Sequence, residues 1–238
     1  MRPAATRRVK GAAEILYREA QYHGSDRLKI LIIGATGRLG RCLVEQALAA
    51  GFKVTGLARS PESLQLAHER LSVVKGDLLD AASLNNILPG HNAVLVSVAP
   101  KVRFRQKSEL LSKGARNLCS AMSPMKGTRL IWVTSAGIDP QYVKGKRFVY
   151  KRIIKPFFLA NVYADFRLSE EILESSSLNW VVVRPSRLTD GPLTKTYRVQ
   201  ANGVPKRATK ISRADAAHFM VKETVDHQYN FKKPIIAY

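Results

Sequence analysis

The chain has 238 residues, 45% of them hydrophobic, and is long enough to bury the core of one large domain. No apolar run approaches the roughly 20 residues that a membrane-spanning helix needs, so the sequence predicts no transmembrane segment. The formal net charge is +21, from 39 Lys and Arg against 18 Asp and Glu. This excess is more than solubility requires and favours an anionic partner, such as RNA or a large complex.

The basic residues are unevenly distributed along the chain. The first thirteen residues contain four Arg or Lys and no acid, so we predict a basic N-terminal extension over residues 1–26, either an organelle presequence or a surface arm. Between Glu109 and Asp165 the only acid is Asp139, and we predict a basic insertion at about residues 137–160. A presequence would direct the protein to mitochondria or another organelle matrix. Without one we expect it in the cytoplasm.

A strand followed by a glycine-rich turn stands at residues 28–40, LKILIIGATGRLG. The apolar run predicts a buried strand, and the turn has the glycine spacing of a dinucleotide site. In such a turn Gly34 allows the sharp bend, Gly37 lets the backbone approach a pyrophosphate, and Gly40 lets the next helix pack on the strand. The start of that helix would offer free N–H groups and a positive dipole end to phosphates. The residues expected to bind the cofactor here are Gly34, Thr36, Gly37, Arg38, Leu39 and Gly40.

Strands and helices alternate after this turn. In chain order we predict a helix to Ala50, a strand at 52–58, a helix starting at Ser60 and Pro61, a strand at 71–75, a helix at 81–87, a strand at 93–99, a helix at 108–122 and a strand at 129–134. This alternation favours parallel strands joined by right-handed crossovers. The predicted fold class is therefore α/β, a doubly wound and mainly parallel sheet with helices on both faces.

The second half of the chain departs from strict alternation. We predict a helix at about 163–175, a strand at 180–184, a short strand at 197–201, a helix from Ser212 to about Val225 and a last edge strand at 234–238. Ser212 and Asp215 resemble a capping box at the start of the last helix. One domain, residues 27–238, accounts for all of these elements.

The end of the second predicted strand indicates which nicotinamide cofactor is preferred. An NAD site usually has Asp or Glu there, to accept a hydrogen bond from the ribose 2′-hydroxyl, whereas this chain has Ala58-Arg59-Ser60. A guanidinium suits a 2′-phosphate, so we expect NADPH rather than NADH. Arg38 either supplies a second cation to that phosphate or is an exposed arginine at a helix start. Asp77 either accepts from the adenine amino group or is an ordinary turn aspartate.

The fourth and fifth predicted strands end in small polar residues, Ser97-Val98-Ala99 and Thr134-Ser135. Both ends lie at the carboxyl edge of the sheet, where the nicotinamide must sit. Ser135 either donates a hydrogen bond to substrate or carboxamide, or caps the next turn. Neither the cysteines nor the histidines have metal-ligand spacing, so we expect no metal. Hydride transfer depends mainly on proximity and orientation of the cofactor.

Several stretches together resemble the atypical short-chain dehydrogenase/reductases: GATGRLG at 34–40, Arg59, Gly76-Asp77, Thr134-Ser135-Ala136 and residues 180–199 and 211–215. From about Arg27 onward the chain is most similar to the NAD(P)H-binding (NmrA-like) group that contains biliverdin reductase B, also called flavin reductase. The resemblance implies a Rossmann-like fold that binds NADPH and reduces flavins or related planar compounds. It places Arg59, Asp77 and the glycine turn at the cofactor, and Ser135 and Pro185 to Leu188 at the substrate.

Two departures from that family bear on catalysis. The Tyr-x-x-x-Lys pair of common short-chain dehydrogenases has its nearest match in Tyr163 and Arg167. Where biliverdin reductase B has a histidine proposed for catalysis, this chain has Arg187, whose guanidinium stays protonated and cannot act as an ordinary acid or base. We name Ser135 and Arg187 as the candidate catalytic residues.

Two functions follow from these observations. The first is an NADPH-dependent reductase of a flavin-like or quinone-like acceptor. The alternative is a weak or inactive NADP-binding subunit of a large organellar assembly, a ribonucleoprotein or a respiratory complex, that uses the basic surface. A lipid-facing amphipathic segment at 151–160 ranks third, because Pro156 argues against a long helix.

Overall fold

Residues 28–100, 107–144 and 159–238 are described in this computed structural model of the protein. The predicted N-terminal extension and residues 145–158 of the predicted insertion lie outside the described residues. The strands are β1 (Lys29–Ile33), β2 (Lys53–Ala58), β3 (Leu71–Lys75), β4 (Ala93–Val96), β5 (Arg129–Val133), β6 (Asn179–Pro185), β7 (Arg187–Thr189), β8 (Arg198–Gln200), β9 (Lys210–Ser212) and β10 (Ile235–Ala237). The α-helices are α1 (Arg38–Ala49), α2 (Ala81–Ile87), α3 (Leu110–Met122), α4 (Pro140–Lys144), α5 (Ala160–Glu174) and α6 (Arg213–Asp226).

Eight strands form one sheet in the order β3-β2-β1-β4-β5-β6-β10-β8, in which only β8 runs antiparallel to its neighbour. A separate parallel pair joins β7 to β9. The order of strands reverses between β1 and β4, and in sheets of this kind ligands bind beyond the carboxyl ends of the strands at that point. The doubly wound, mainly parallel sheet predicted from the sequence is confirmed.

Helices cover both faces of the sheet. Ile30 and Ile32 of β1 point into a core on the face where α1 packs against α6, and Leu31 and Ile33 point into a core on the face where α3 packs against α5. These four side chains are at most 2% exposed. Full burial on both faces explains why β1 is a continuous apolar run rather than an alternating one. Each such side chain contributes about 2 kcal/mol on burial.

The first half of the fold agrees closely with the sequence prediction, with two corrections. The helix expected from Ser60 and Pro61 is only a 3₁₀ turn, Pro61–Leu64, and the Ser60 side chain makes no capping hydrogen bond. Gln65 then adopts a left-handed conformation with φ +46°, which ends the turn. The fourth strand stops at Val96, so residues 97–99 are free to line a cavity.

The second half differs more from the prediction. The strand at the end of the chain is not an edge strand, since β10 pairs with β6 on one side and with β8 on the other. The short strand predicted at 197–201 is present as β8 and is itself the edge. The β7–β9 pair was not predicted, because three-residue strands carry too few residues to show a periodicity. None of the helices in the described ranges has the length and hydropathy that crossing a bilayer demands.

Candidate active site

The glycine-rich turn leads from β1 into α1 with the geometry of a phosphate-binding loop. Gly34 has φ +86°, and a Cβ added at Gly40 would lie 2.0 Å from the Gly34 carbonyl oxygen. The N–H of Gly37 donates to that same oxygen at 3.0 Å. Gly37 is the N-cap of helix α1 and supplies no side-chain hydrogen bond, so first-turn N–H groups are left for a ligand. A turn this closely packed, followed by an uncapped helix start, fits a dinucleotide pyrophosphate.

A first cavity of about 240 Å³, here called the β2-side cavity, lies beyond the carboxyl ends of β1, β2 and β4. Of the predicted cofactor residues, it is lined by Gly34, Thr36, Gly37, Arg59, Asp77, Ser97, Val98 and Ala99. Asp77 also accepts a hydrogen bond from the N–H of Leu79 at 3.0 Å, which is the turn role considered as its alternative. Gly40 lines neither this cavity nor the next one, because its role is to pack α1 against the turn.

A second cavity of about 440 Å³, the β6-side cavity, lies on the other side of the glycine turn. Its lining includes the predicted residues Gly37, Arg38, Leu39, Ser97, Val98, Ala99, Thr134, Ser135, Pro185 and Arg187. Gly37 and residues 97–99 therefore line both cavities. Arg38 opens onto this cavity and Arg59 onto the other, so the structure does not bring the two predicted phosphate-binding arginines together.

The hydroxyl groups of the β6-side cavity are partly engaged by the protein itself. The Ser135 oxygen accepts from the N–H of Gly137 at 3.1 Å, and the Thr134 hydroxyl donates to Glu170 at 2.6 Å. By contrast, the Ser186 hydroxyl has no hydrogen-bond partner in the structure although the residue is only 4% exposed. Buried polar groups normally have partners, so an unpaired hydroxyl in a cavity wall is an unusual feature.

The helix that carries the nearest Tyr-x-x-x-Lys match does not direct that pair into the cavity. Tyr163 is buried and its ring stacks with that of Phe166, while Arg167 donates to the carbonyl of Ile138 at 3.2 Å. The side chain of α5 that lines the β6-side cavity is Phe166. No His, Asp, Glu, Cys, Lys or Tyr is among the described residues that line it. The wall is thus apolar, with hydroxyl groups and guanidiniums as its polar groups.

Guanidinium groups surround the mouth of the β6-side cavity. Asp190, just after β7, makes ion pairs with Arg38 at the start of α1 and with Arg213 at the start of α6, the latter at 2.6 Å. Arg187 is exposed and has no ion pair with any residue in the described ranges. The sequence pattern indicated Arg187 and Arg38 as site residues, but it gave no sign that Asp190 pairs with Arg213. This pair follows from the register of β7 with β9, which brings the two residues together.

A buried charge network lies below the β6-side cavity. Glu170 of α5, only 2% exposed, accepts from Arg184 of β6 through both carboxylate oxygens and from Thr134. Asp139 pairs with the same guanidinium at 3.5 Å. This network fixes the end of β5 against α5 and thereby positions Thr134 and Ser135. The sequence pattern gave no signal for it, because the partners come from three separate elements.

A second buried carboxylate, Asp215, holds the segment between β7 and β8. It accepts from Thr194 N–H at 2.9 Å, Lys195 N–H at 2.7 Å and the Tyr238 hydroxyl at 2.5 Å, and it completes the predicted cap with Ser212. Burial by itself would raise the pKa of Asp215, but the hydrogen bonds from Tyr238 and Thr194 outweigh it and leave the pKa below its ordinary value.

A buried histidine lies next to the same segment. The Tyr197 hydroxyl is 2.7 Å from Nδ1 of His218, on α6. Burial, with the positive charge of Lys195 as the next cause, lowers the pKa of His218 to about 4. Burial, with the charge of Asp215 as the next cause, raises the pKa of Tyr197. The pair is therefore neutral at physiological pH and serves as packing for the segment.

The comparison with known families agrees with the geometry of the turn. A family model described as NAD(P)H-binding matches residues 34–227. The chain belongs to the NAD(P)H-binding family. The matched range runs from the glycine turn to the end of α6 and so contains both cavities. The membership predicted from GATGRLG and the later motifs is confirmed.

Relatives among the curated proteins include several reductases and an oxidoreductase. Cinnamoyl-CoA reductase 1 of Oryza sativa subsp. japonica is 29% identical over 206 residues, which are 77% of this chain and 60% of the rice protein. The chain thus spans about three fifths of that relative. An oxidoreductase of Pestalotiopsis microspora is 25% identical over 225 residues, 84% of this chain and 82% of that protein. An oxidoreductase-like, NAD(P)H-binding protein is the description that these relatives support.

Solved structures share the fold. A candidate NADH-flavin reductase of Streptococcus pneumoniae aligns with a TM-score of 0.71 at 22% identity, over 88% of this chain and 99% of that one. A short-chain dehydrogenase/reductase of Veillonella parvula in complex with NADP aligns with a TM-score of 0.68 at 17% identity, over 89% of this chain and 94% of that one. The fold is Rossmann-like, as expected.

Proposed function

We propose that the protein is an NADPH-dependent reductase that delivers hydride to a flavin-like or quinone-like acceptor. The observation that carries this proposal is the wall that the two cavities share. Because Gly37 and residues 97–99 line both, a dinucleotide laid across the glycine turn would extend from the β2-side cavity into the β6-side cavity. When bound, the reduced nicotinamide supplies the hydride.

The choice of NADPH over NADH rests on the β2-side cavity. Arg59 follows β2 at the position where an acid would bind the ribose 2′-hydroxyl, and it lines the cavity. Arg41 supports this corner by donating to the carbonyls of Thr36 and Ser63, which ties the glycine turn to the segment after β2. Arg38 faces the other cavity, so the proposed selection for the 2′-phosphate depends on Arg59.

The acceptor class follows from the chemistry of the β6-side cavity. Among its described lining residues no group titrates near neutral pH, so a proton cannot come from a buried acid. Flavins and quinones need none, because the reduced ring can take its proton from water after the hydride has arrived. Phe166, Val98 and Leu188 supply apolar surface for a planar ring, and Ser135 is the hydroxyl that would orient it.

The test is to incubate the purified protein with NADPH and with FMN or a naphthoquinone, and to follow the loss of NADPH absorbance. We expect oxidation above the rate without protein, and NADPH binding visible as a change in its fluorescence. Gly40→Val is the matched inactive variant, since its side chain would collide with the turn. If neither binding nor oxidation exceeds background, the proposal is wrong.

A second candidate function is an NADP-binding subunit of a large organellar assembly. It is supported by the net charge and by two acid-poor segments that are in contact. Residues 191–214 contain six Lys or Arg and no acid, and Tyr142, from the acid-poor interval 110–164, donates from its hydroxyl to the carbonyl of Thr209 at 3.5 Å. An excess of positive charge favours RNA or another polyanion.

This candidate has its own test. We expect RNA affinity that falls steeply with salt, and elution of the native protein in a large complex from organelle extract. No RNA affinity, together with elution as a free monomer or dimer, would exclude it. Residues 1–26 are proposed to direct the protein to that organelle, and fusion of this segment to a fluorescent reporter tests the localisation separately.

A further inference from the structure

The mouth of the β6-side cavity holds more positive charge than the described residues neutralise. Three guanidiniums, those of Arg38, Arg187 and Arg213, line the cavity. One carboxylate, Asp190, is shared between two of them. Arg187 has no ion-pair partner in the described part of the chain. Guanidiniums are the groups that proteins use to bind carboxylates and phosphates through two parallel hydrogen bonds.

An independent feature of the same wall also indicates a ligand. Ser186 is one of the residues that line the cavity, and its hydroxyl oxygen is buried without a hydrogen-bond partner. Leaving a buried hydroxyl unpaired costs about 1–3 kcal/mol, a cost that is removed when a ligand supplies the missing partner. Ser186 precedes Arg187 in the chain, so the unpaired hydroxyl and the unpaired guanidinium stand at adjacent positions.

The carboxylate of Asp190 contacts two arginines in the way that a bound anion would. In the β7–β9 register Thr189 is opposite Ser212, so Asp190 and Arg213 are the next residues along the two strands and meet at 2.6 Å. The Arg213 side chain is 16% exposed, whereas those of Asp190 and Arg38 are 61% and 66% exposed. Asp190 is thus a solvent-accessible carboxylate on a mostly buried guanidinium. The pair of Asp190 with Arg38 is exposed on both sides, and such a pair is worth at most about 1 kcal/mol, so a ligand anion can compete with Asp190 at this mouth.

From these contacts we infer that Arg187 and Arg213 form a subsite for an anionic group of the acceptor, a carboxylate or a phosphate, and that Asp190 is an internal competitor that weakens this subsite. The inference rests on the proposed function in one respect, because it takes the anionic ligand to be the acceptor of the hydride. Binding of an anion at this subsite does not itself require turnover. It narrows the acceptor to planar compounds that carry a negative group beside the ring. Asp190 then acts as a specificity-determining residue, since it sets how strongly that group is bound.

The experiment compares ligands that share a ring and differ by one anion. Riboflavin and FMN have the same ring, and FMN adds a phosphate. Menadione and a naphthoquinone with a carboxylate side chain form the second pair and separate a carboxylate from a phosphate. Binding to the full chain is measured at equilibrium by fluorescence and calorimetry, and reduction by NADPH is measured in parallel. We expect the anionic member of at least one pair to bind about tenfold tighter in the wild type, an advantage of about 1.4 kcal/mol.

Three variants decide the assignment. Arg187→Leu should reduce the anionic advantage to less than threefold, and Asp190→Asn should increase it severalfold. Arg198→Leu, which removes an exposed arginine of β8 outside the cavity lining, should leave it unchanged. Because the first two variants act in opposite directions, a general loss of folding cannot imitate the pattern. The advantage should also decrease with salt.

The outcomes separate this inference from the proposed function. Equal binding of neutral and anionic ligands in the wild type overturns the inference even if both are reduced. A decrease of the advantage in Asp190→Asn overturns the role of Asp190 and makes that residue a structural strap between α1 and α6. Preferential binding of the anionic ligands without any NADPH oxidation supports the subsite while contradicting the reductase.

Discussion

The two cavities on either side of the glycine turn are built by different means. The β2-side cavity depends on backbone geometry, with Gly34 in the left-handed region and Gly40 packed against its carbonyl. The β6-side cavity depends on charged side chains, with Asp190 between two arginines and Glu170 below. The first should therefore tolerate changes of charge and respond sharply to any added side chain. The second should respond to changes of charge.

The largest effect is expected at the turn. Gly40→Ala places a Cβ 2.0 Å from the Gly34 oxygen, and the nearest atoms are all backbone of Gly34 and Ala35, which cannot move aside as a side chain could. We expect NADPH affinity to fall at least about 100-fold, measured by fluorescence titration, because the phosphate-binding N–H groups must move. Gly90→Ala is the control: its φ of +79° makes that substitution strained too, but a Cβ there meets nothing within 4 Å and Gly90 lines neither cavity. Equal losses in the two variants would contradict the packing argument.

The buried network below the β6-side cavity gives the largest expected loss of stability. Glu170→Gln removes the carboxylate that pairs with Arg184 and leaves a half-buried guanidinium poorly compensated. We expect the free energy of unfolding in urea to fall by about 3–5 kcal/mol. Glu174→Gln, on the same helix as Glu170, breaks a partly exposed pair with Lys233 and should cost less than about 1 kcal/mol. The two values would be similar only if Glu170 were solvated.

Stability should also depend on pH through His218. Its pKa of about 4 in the folded protein lies below the ordinary 6.5, so the unfolded chain binds more protons between these values. Stability is then fully present above about pH 6.5 and is lost as pH falls towards 4, by up to roughly 3 kcal/mol. His218→Gln should flatten this dependence in urea titrations, whereas replacement of the exposed His68 should not. An unchanged slope in His218→Gln would show that other groups cause it.

The smallest effect is expected at Arg59, the charge on which the proposed preference for NADPH over NADH rests. Arg59→Ala should lower the ratio of NADPH to NADH affinity by about tenfold, or 1.4 kcal/mol, since a 2′-phosphate would lose its guanidinium. The affinity for NADH should change little, because NADH lacks that phosphate. Arg38→Ala is the matched comparison and should leave the ratio within about twofold, since Arg38 faces the other cavity. A larger effect at Arg38 would reverse the assignment.

The two regions also differ in how well the sequence predicted them. The β2-side half was predictable because its signals are local: an apolar run, three glycines and an arginine that directly follows a strand. Even there, Ser60 and Pro61 indicated a full helix where one 3₁₀ turn forms, since no apolar stripe continues beyond Leu64.

The β6-side half was predictable only in part. Ser135 was identified from its place at the end of a predicted strand, and Pro185 and Arg187 from a resemblance. All three line the cavity. The pair of Asp190 with Arg213 and the place of Phe166 were not, because they depend on strand register and helix rotation, which join residues more than twenty positions apart. The internal position of β10 was not predicted for the same reason. Its partner β8 is three residues long and has little pattern of its own.

The hydrogen bonds to Asp215 also bear on the order in which the chain folds. This carboxylate accepts from residues 20 to 23 positions away on both sides, Thr194 and Lys195 before it and Tyr238 after it. Each of these hydrogen bonds closes a loop of about twenty residues, whereas the paired residues Ile30 and Ala93 of β1 and β4 are 63 positions apart. Closing the shorter loop costs less entropy, so the segment beside the β6-side cavity should become protected no later in refolding than the β1–β4 pair. Pulsed hydrogen exchange would then record the pocket segment as ordered with, or before, the centre of the sheet.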